Sequence, residues 1–438
     1  MTATVHTAPV VVTNDPLNAG ADEFGVIRGG GVVIDHGVIV DVGPAHEVVA
    51  KHASAKHRDH SGVLTPGLVN AHSHLQYAAY ADLASSGLPF SPWIAQMVQR
   101  RMLTTDEQWA ESARSGAYLA LRSGTTAVAD IVTDIPALAP IARSGLRGIS
   151  YVEALGADDQ QWDEQRAGEV DNALDVAMAQ TRTAGISPHS LYTLSRHAFT
   201  QSMRRGRELG LRAHTHLAES ADEVEFVADG TGLLADMANG IGWKLDAISC
   251  GGFAHTPTIE MDGLEGLGAD VHVAHGVHCN AADRALLRER GTAVAICVRS
   301  NKILGAGRPP IADYLAEGSP IGLGTDSLAS SPSLDLLEEA RAARDLALLQ
   351  GYDLPDLNAR IWQAITVGGA FCLGLDGRDL PGGTADQVGA LTLGALGDLA
   401  VFDVPTDSDP FAALIDHGAG ECVATVLGGT FVNRRSGQ

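Results

Sequence analysis

Eight short apolar runs constrain this chain more than any other feature. They are Leu64–Ala71, Thr125–Ile131, Gly148–Glu153, Gly185–Ser187, Leu211–His214, Val271–Ala274, Ala293–Val298 and Ile321–Thr325. Stretches with helical spacing separate most of them, such as Glu107–Ser123 and Leu334–Leu349. Repeated strand–helix units between residues 63 and 379 predict an α/β fold, a (β/α)₈ TIM barrel. An open doubly wound sheet is the competing arrangement, but no G-x-G-x-x-G follows the first run. The flanks read differently. Pro9–Thr13, Gly31–Asp35 and Val38–Val42 are rich in β-branched residues, with His36-Gly37 as a hairpin turn. Asp398–Asp403 and Glu421–Leu427 repeat that pattern near the other end. The expected organisation is a small β-sandwich domain made by residues 1–62 with 380–438, beside a barrel of residues 63–379. Two stretches read as loops over the barrel mouth: Ser85–Gln99, with Phe90 and Trp93, and Ala238–Thr258, with Trp243.

Composition narrows the function classes. The net charge of −23 repels a polyanion at long range, so nucleic-acid binding is not expected as the main activity. Five cysteines, an odd number with no C-x-x-C, fit a reduced, cytoplasmic protein. No run of about 18 apolar residues predicts a membrane span, and Met1 to Asn14 lacks the basic start and apolar core of a signal peptide. The expected partner is a small-molecule substrate.

Ionisable residues gather where the runs end. His72 and His74 follow the first, Glu153 ends the third, and His189 follows the fourth. His214 and His216 end the fifth, with Glu219 just beyond; His275 and His278 follow the sixth, and Asp326 the eighth. Barrel active sites form at this face, because the loops there converge on the axis. H-x-H alone is a weak signal. On an extended strand, however, residues i and i+2 share a side, and His216 and Asp326 complete a three-His, one-Asp set. Such a set suits one divalent metal, Zn²⁺ in the first instance or Fe²⁺, with a position open for water. Glu219 lies three residues after His216 and reads as a catalytic group over that water. Asp222, Glu223 and Glu225 beyond it read as solvated. His275 can hydrogen-bond the developing oxyanion, whereas His278 reads as supporting or structural.

The runs PGLVNAHSHL, HTHLAES, VAHGVH and GLGTDS resemble the amidohydrolase superfamily, in its branch of nucleobase and nucleoside deaminases and triazine chlorohydrolases. The resemblance covers nearly the whole chain, including the split β domain, a helix over Ala364–Gly374 (AITVGGAFCLG) and the late strand GDLAVFDV. It implies a distorted barrel with metal ligands at His72, His74, His216 and Asp326, and a homodimer or larger homo-oligomer. Binuclear relatives carry a lysine after the fourth strand. Ser187-Pro188-His189 stands there instead, which implies one metal and makes His189 a substrate contact. The implied reaction is hydrolytic deamination of an amino-heterocycle. The water is activated at the metal, Asp326 takes its proton, Glu219 protonates the ring nitrogen, and His275 steadies the new oxygen.

The substrate is read from softer features. Val298-Arg299-Ser300-Asn301, the stretch after it and His74-Leu75-Gln76-Tyr77 are similar to 6-aminodeoxyfutalosine deaminases of menaquinone biosynthesis. That substrate is an adenine nucleoside bearing an aromatic carboxylate. Arg299 or Arg308 can pair with the carboxylate, and Trp93 or Tyr77 can stack on a ring; Gln76, Glu153, His189 and Asn301 are further candidate contacts. S-adenosylhomocysteine or methylthioadenosine deamination is the nearest alternative, followed by guanine deamination and triazine dechlorination. A barrel that binds a ligand without turnover is the alternative outside enzymology.

Overall fold

The computed structural model describes residues 3–180, 182–252, 255–378, 383 and 386–435. The eight runs become eight parallel strands, β1 (Leu68–Ser73), β2 (Thr125–Val132), β3 (Arg147–Ala154), β4 (Thr183–Pro188), β5 (Ala213–Leu217), β6 (Val271–His275), β7 (Ala293–Ile296) and β8 (Ile321–Leu323). Each is hydrogen-bonded to the next in chain order, and a parallel bridge from Ser73 to Asp326 brings the last against the first. Helices on one side and the packed barrel interior on the other bury both faces of the strands. That is why β2, TTAVADIV, is buried at every position.

The ends form a separate eight-stranded mixed sheet. Thr4–Val12 pairs antiparallel with Val26–Asp35, and parallel with both Lys56–Asp59 and Val63–Pro66. Leu399–Phe402 and Cys422–Leu427 extend it from the C-terminal side. Val26–Asp35 and Val38–Pro44 form the expected hairpin, with His36 and Gly37 both at positive φ (50° and 87°), as a type I′ turn requires. The expected domain boundary at 379–380 falls outside the described residues.

Four sequence expectations are corrected here. The first apolar run is two strands rather than one. Val63–Pro66 belongs to the terminal sheet, and the chain turns at Gly67 into β1. A Cβ on Gly67 would lie 2.0 Å from Thr126 Oγ1, so only glycine fits this corner. The stretch read as a loop at Ser85–Gln99 contains the helix Phe90–Arg101. Its apolar face, Phe90, Trp93, Ile94 and Met97, has helical spacing, and Pro92 is tolerated in the first turn. Within Ala238–Thr258, the helix Gly232–Gly240 runs into the start and Trp243 packs on the main core. The run AITVGGAFCLG is broken, with helices Leu357–Ala364 and Val367–Leu373 on either side of Thr366. The five cysteines are unpaired, and four of them are buried. Among the described residues no helix is long and apolar enough to cross a membrane.

Candidate metal and active site

The C-terminal ends of β1, β5, β6 and β8 bring His72, His74, His216, His275 and Asp326 together, all buried. Backbone strain helps to aim them. His275 (φ 75°) and Asp326 (φ 58°) occupy the left-handed region, which costs a β-carbon residue about 1–3 kcal/mol and persists where the surrounding structure over-determines it. Close approach also matters. Gly324 passes so near His72 that a Cβ there would lie 2.6 Å from that residue's own Cβ.

The donor set fits a divalent ion. Asp326 Oδ1 is 3.5 Å from His72 Nε2 and 3.7 Å from His74 Nε2. Those gaps are too long for hydrogen bonds, but ligands held at about 2.1 Å in a tetrahedron stand about 3.4 Å apart. His72 Nε2 is buried with no hydrogen-bond partner. Its other nitrogen shows why. His214 Nδ1 is 3.0 Å from the carbonyl oxygen of His272, which can only accept, so His214 carries its proton there. Burial keeps His214 neutral, with a pKa well below the usual histidine value. Its Nε2 is therefore an acceptor, and the 2.7 Å bond to His72 Nδ1 makes His72 the donor. The lone pair of His72 Nε2 is left free for a cation. His216 is set the same way, its Nδ1 donating to the carbonyl of His189 at 3.0 Å. His214→Leu removes the acceptor and is expected to weaken metal affinity about 10- to 100-fold with the fold intact. Competition against a chelator, with circular dichroism as the control, checks this; an unchanged affinity contradicts it.

Two carboxyls beside these histidines have opposite character. Burial pushes Glu219 well above the usual carboxyl range, and repulsion from Asp326 and Glu223 adds to it. Burial pushes Asp326 the same way. The surrounding imidazoles of His72, His74 and His275 outweigh it and hold Asp326 well below. Ser300 and Ser330 donate to Asp326 Oδ2 at 2.6 and 2.9 Å. The two carboxyls are thus pushed in opposite directions, the pattern of a proton donor beside an acceptor. Asn301 Nδ2 donates to His275 Nδ1 at 3.1 Å, so the His275 proton sits on Nε2, 3.6 Å from Glu219 Oε1.

The other candidates divide. His189, Glu153, Tyr77 and Trp93 line the pocket over this cluster, a cavity of about 140 Å³. Glu153 Oε1 lies 3.9 Å from His189 Nε2, and the Glu153 carboxylate accepts from Thr133 at 2.6 Å. Gln76, Asn301 and Arg299 do not line it. Gln76 is buried beneath, bonded to Thr133 and Asp134. Asn301 braces His275. Arg299 turns away to Glu338 at 2.6 Å, because the helix Val298–Ile303 starts as soon as β7 ends. Arg308 and His278 line an outer cleft of about 880 Å³ that contains none of the metal set.

Sequence reasoning missed three groups. Glu223, read as solvated, is fully buried and accepts from the backbone N–H of Ala218 and Glu219 at 2.9 and 2.8 Å, fixing the Glu219 turn. The capping spacing Ser220-x-x-Glu223 was its signal, and the Ser220 side chain accepts from Glu223 N. His214 holds His72 as described, and Arg101 lines the pocket.

The amidohydrolase family model matches residues 63–432. The chain belongs to the amidohydrolase family. A 5-methylthioadenosine/S-adenosylhomocysteine deaminase of Haloarcula marismortui is 31% identical to this amidohydrolase over 372 residues, covering 81% of this chain and 76% of the relative. Its counterpart in Natronomonas pharaonis is 30% identical over 387 residues, covering 84% and 81%. Among solved structures, an adenosine deaminase of Xanthomonas campestris with bound zinc superposes with a TM-score of 0.77 at 23% identity, covering 98% of this chain and 93% of that one. Helicobacter pylori aminofutalosine deaminase gives 0.76 at 19% identity, covering 98% and 99%. These superpositions carry the fold.

Proposed function

We propose that this amidohydrolase uses one divalent cation, zinc, to deaminate an adenine-type nucleoside hydrolytically. The observation that carries the reading is the buried gathering of His72, His74, His216, His275, Glu219 and Asp326 in overlapping donor sets, with His72 Nε2 left without a partner. The names of relatives at 30–31% identity support the adenine nucleoside. One ion is favoured because β4 ends in Ser187-Pro188-His189, and none of the four lysines lines the pocket.

His72, His74, His216 and Asp326 would hold the cation, which supplies Lewis acidity that brings a water's pKa toward neutrality. The chain's own groups do the rest. Asp326, ionised and braced by two serine hydroxyls, takes a proton from the attacking water. Glu219 gives its proton to the ring nitrogen beside the reacting carbon, so the ring accepts the electron pair. His275 donates a hydrogen bond through Nε2–H to the developing oxygen. The carbon–nitrogen bond to the exocyclic amine then breaks as the amine takes the proton held by Asp326 and leaves as ammonia, and the hydroxyl proton of the intermediate returns to Glu219 as the ring carbonyl forms. His189, with Glu153 behind it, orients the substrate above the cluster.

Within the class, the two arginines expected to read a 6-aminodeoxyfutalosine carboxylate, Arg299 and Arg308, lie outside the pocket. The relatives' names support methylthioadenosine or S-adenosylhomocysteine. Zinc-loaded protein is expected to release ammonia from an adenine nucleoside and not from guanine or a chlorinated triazine. Ammonia from guanine alone would overturn the reading.

A further inference from the structure

Among the described residues, one arginine or lysine of the chain's 30 lines the pocket over the metal set, and it is Arg101, at the end of the helix Phe90–Arg101. Its guanidinium offers five N–H donors. Nη2 reaches Asp134 Oδ2 at 3.3 Å, longer than the 2.7–2.9 Å of a well-formed charge-assisted bond. Nε is buried with no hydrogen-bond partner. The side chain is about three-quarters buried, so water does not freely meet those donors, and a buried unmet donor is costly. Burial opposes the charge, but Tyr77, Asp134 and Glu153 outweigh it and keep Arg101 protonated. Asp134 is not part of the lining; Gln76 holds it from behind through Oδ2 and the backbone N–H. Arg101 thus presents an under-used cationic fork to the cavity. Trp93, Ile94 and Met97, on the same helix, give the pocket an apolar wall beside it, and Glu153 lines the same pocket.

The geometry assigns Arg101 as the specificity-determining residue that takes a carboxylate on the part of the substrate remote from the reacting ring carbon. The assignment rests on the adenine-nucleoside reading above and narrows it to nucleosides with a carboxylate-bearing 5′ substituent. It also moves that role from Arg299 and Arg308 to a residue on a different element.

The test is calorimetric binding of S-adenosylhomocysteine, which carries the carboxylate, and methylthioadenosine, which lacks it, to metal-loaded protein, with ammonia release measured in parallel. Arg101→Gln is expected to raise the Kd for S-adenosylhomocysteine about 10- to 100-fold and to leave methylthioadenosine within about threefold. Arg101→Lys, which keeps the charge but not the fork, is expected to fall between; it serves if the glutamine variant unfolds. Equal losses on both ligands, or no loss on either, overturn the assignment. If the wild type binds neither ligand, the assignment and the nucleoside reading both fall. If it binds them and Arg101 discriminates but no ammonia appears, only the deamination reading falls.

Discussion

Glu219→Gln is expected to lower kcat by about 10²- to 10⁴-fold, the range for removing a positioned general acid, with metal content and thermal stability nearly unchanged. The substituted amide would keep the shape and the backbone bonds but could not deliver an acidic proton. The pH dependence follows with a definite sign. Burial and the neighbouring acids raise the Glu219 pKa, so the proton it must donate is present at low pH and persists above the usual carboxyl range. Activity that depends on it falls as pH rises through that raised value. The glutamine variant should lack this alkaline limb in kcat. A variant with near-normal kcat, or with the same limb, would show that Glu219 is not the proton donor.

Asp326→Asn carries the second large effect, and it differs in kind. Asparagine keeps the size but loses the negative charge opposite His72 and His74, and it offers a poorer acceptor to Ser300 and Ser330. Both metal affinity and proton acceptance are lost together. Turnover is expected to fall at least as far as in Glu219→Gln, about 10²- to 10⁴-fold, and chelator competition should show weakened metal binding by about 10- to 100-fold. The contrast separates the roles: one variant keeps the ion and loses chemistry, and the other loses both. Full metal retention in Asp326→Asn would remove it from the ligand set.

Local pattern and long-range geometry were not equally readable in the chain. The barrel was visible because each strand is a short apolar run, and the strand ends could be read by counting to the next polar residue. That is how His72, His74, His216 and Asp326 could be named together. Glu219 followed from its spacing after His216. What required the third dimension was every contact between distant elements. His214 shares the H-x-H spacing with His216, yet its task depends on His72 from β1 and on the carbonyl of His272 from β6. Glu223 looked like one more surface acid in an acidic stretch until the turn folded its carboxylate under two backbone N–H groups. Arg299 sits next to active-site sequence but is carried outward by a helix, whereas Arg101, remote in sequence from β1, is carried back over the mouth by another.

Hydrolytic deamination itself is tested most directly by incubating metal-loaded protein with an adenine nucleoside in ¹⁸O-labelled water and analysing the products by mass spectrometry alongside an ammonia assay. The predicted result is one ammonia released per nucleoside consumed, with a single ¹⁸O in the ring where the amino group stood and the glycosidic bond intact. Free adenine, an unlabelled ring, or binding without any ammonia would contradict it.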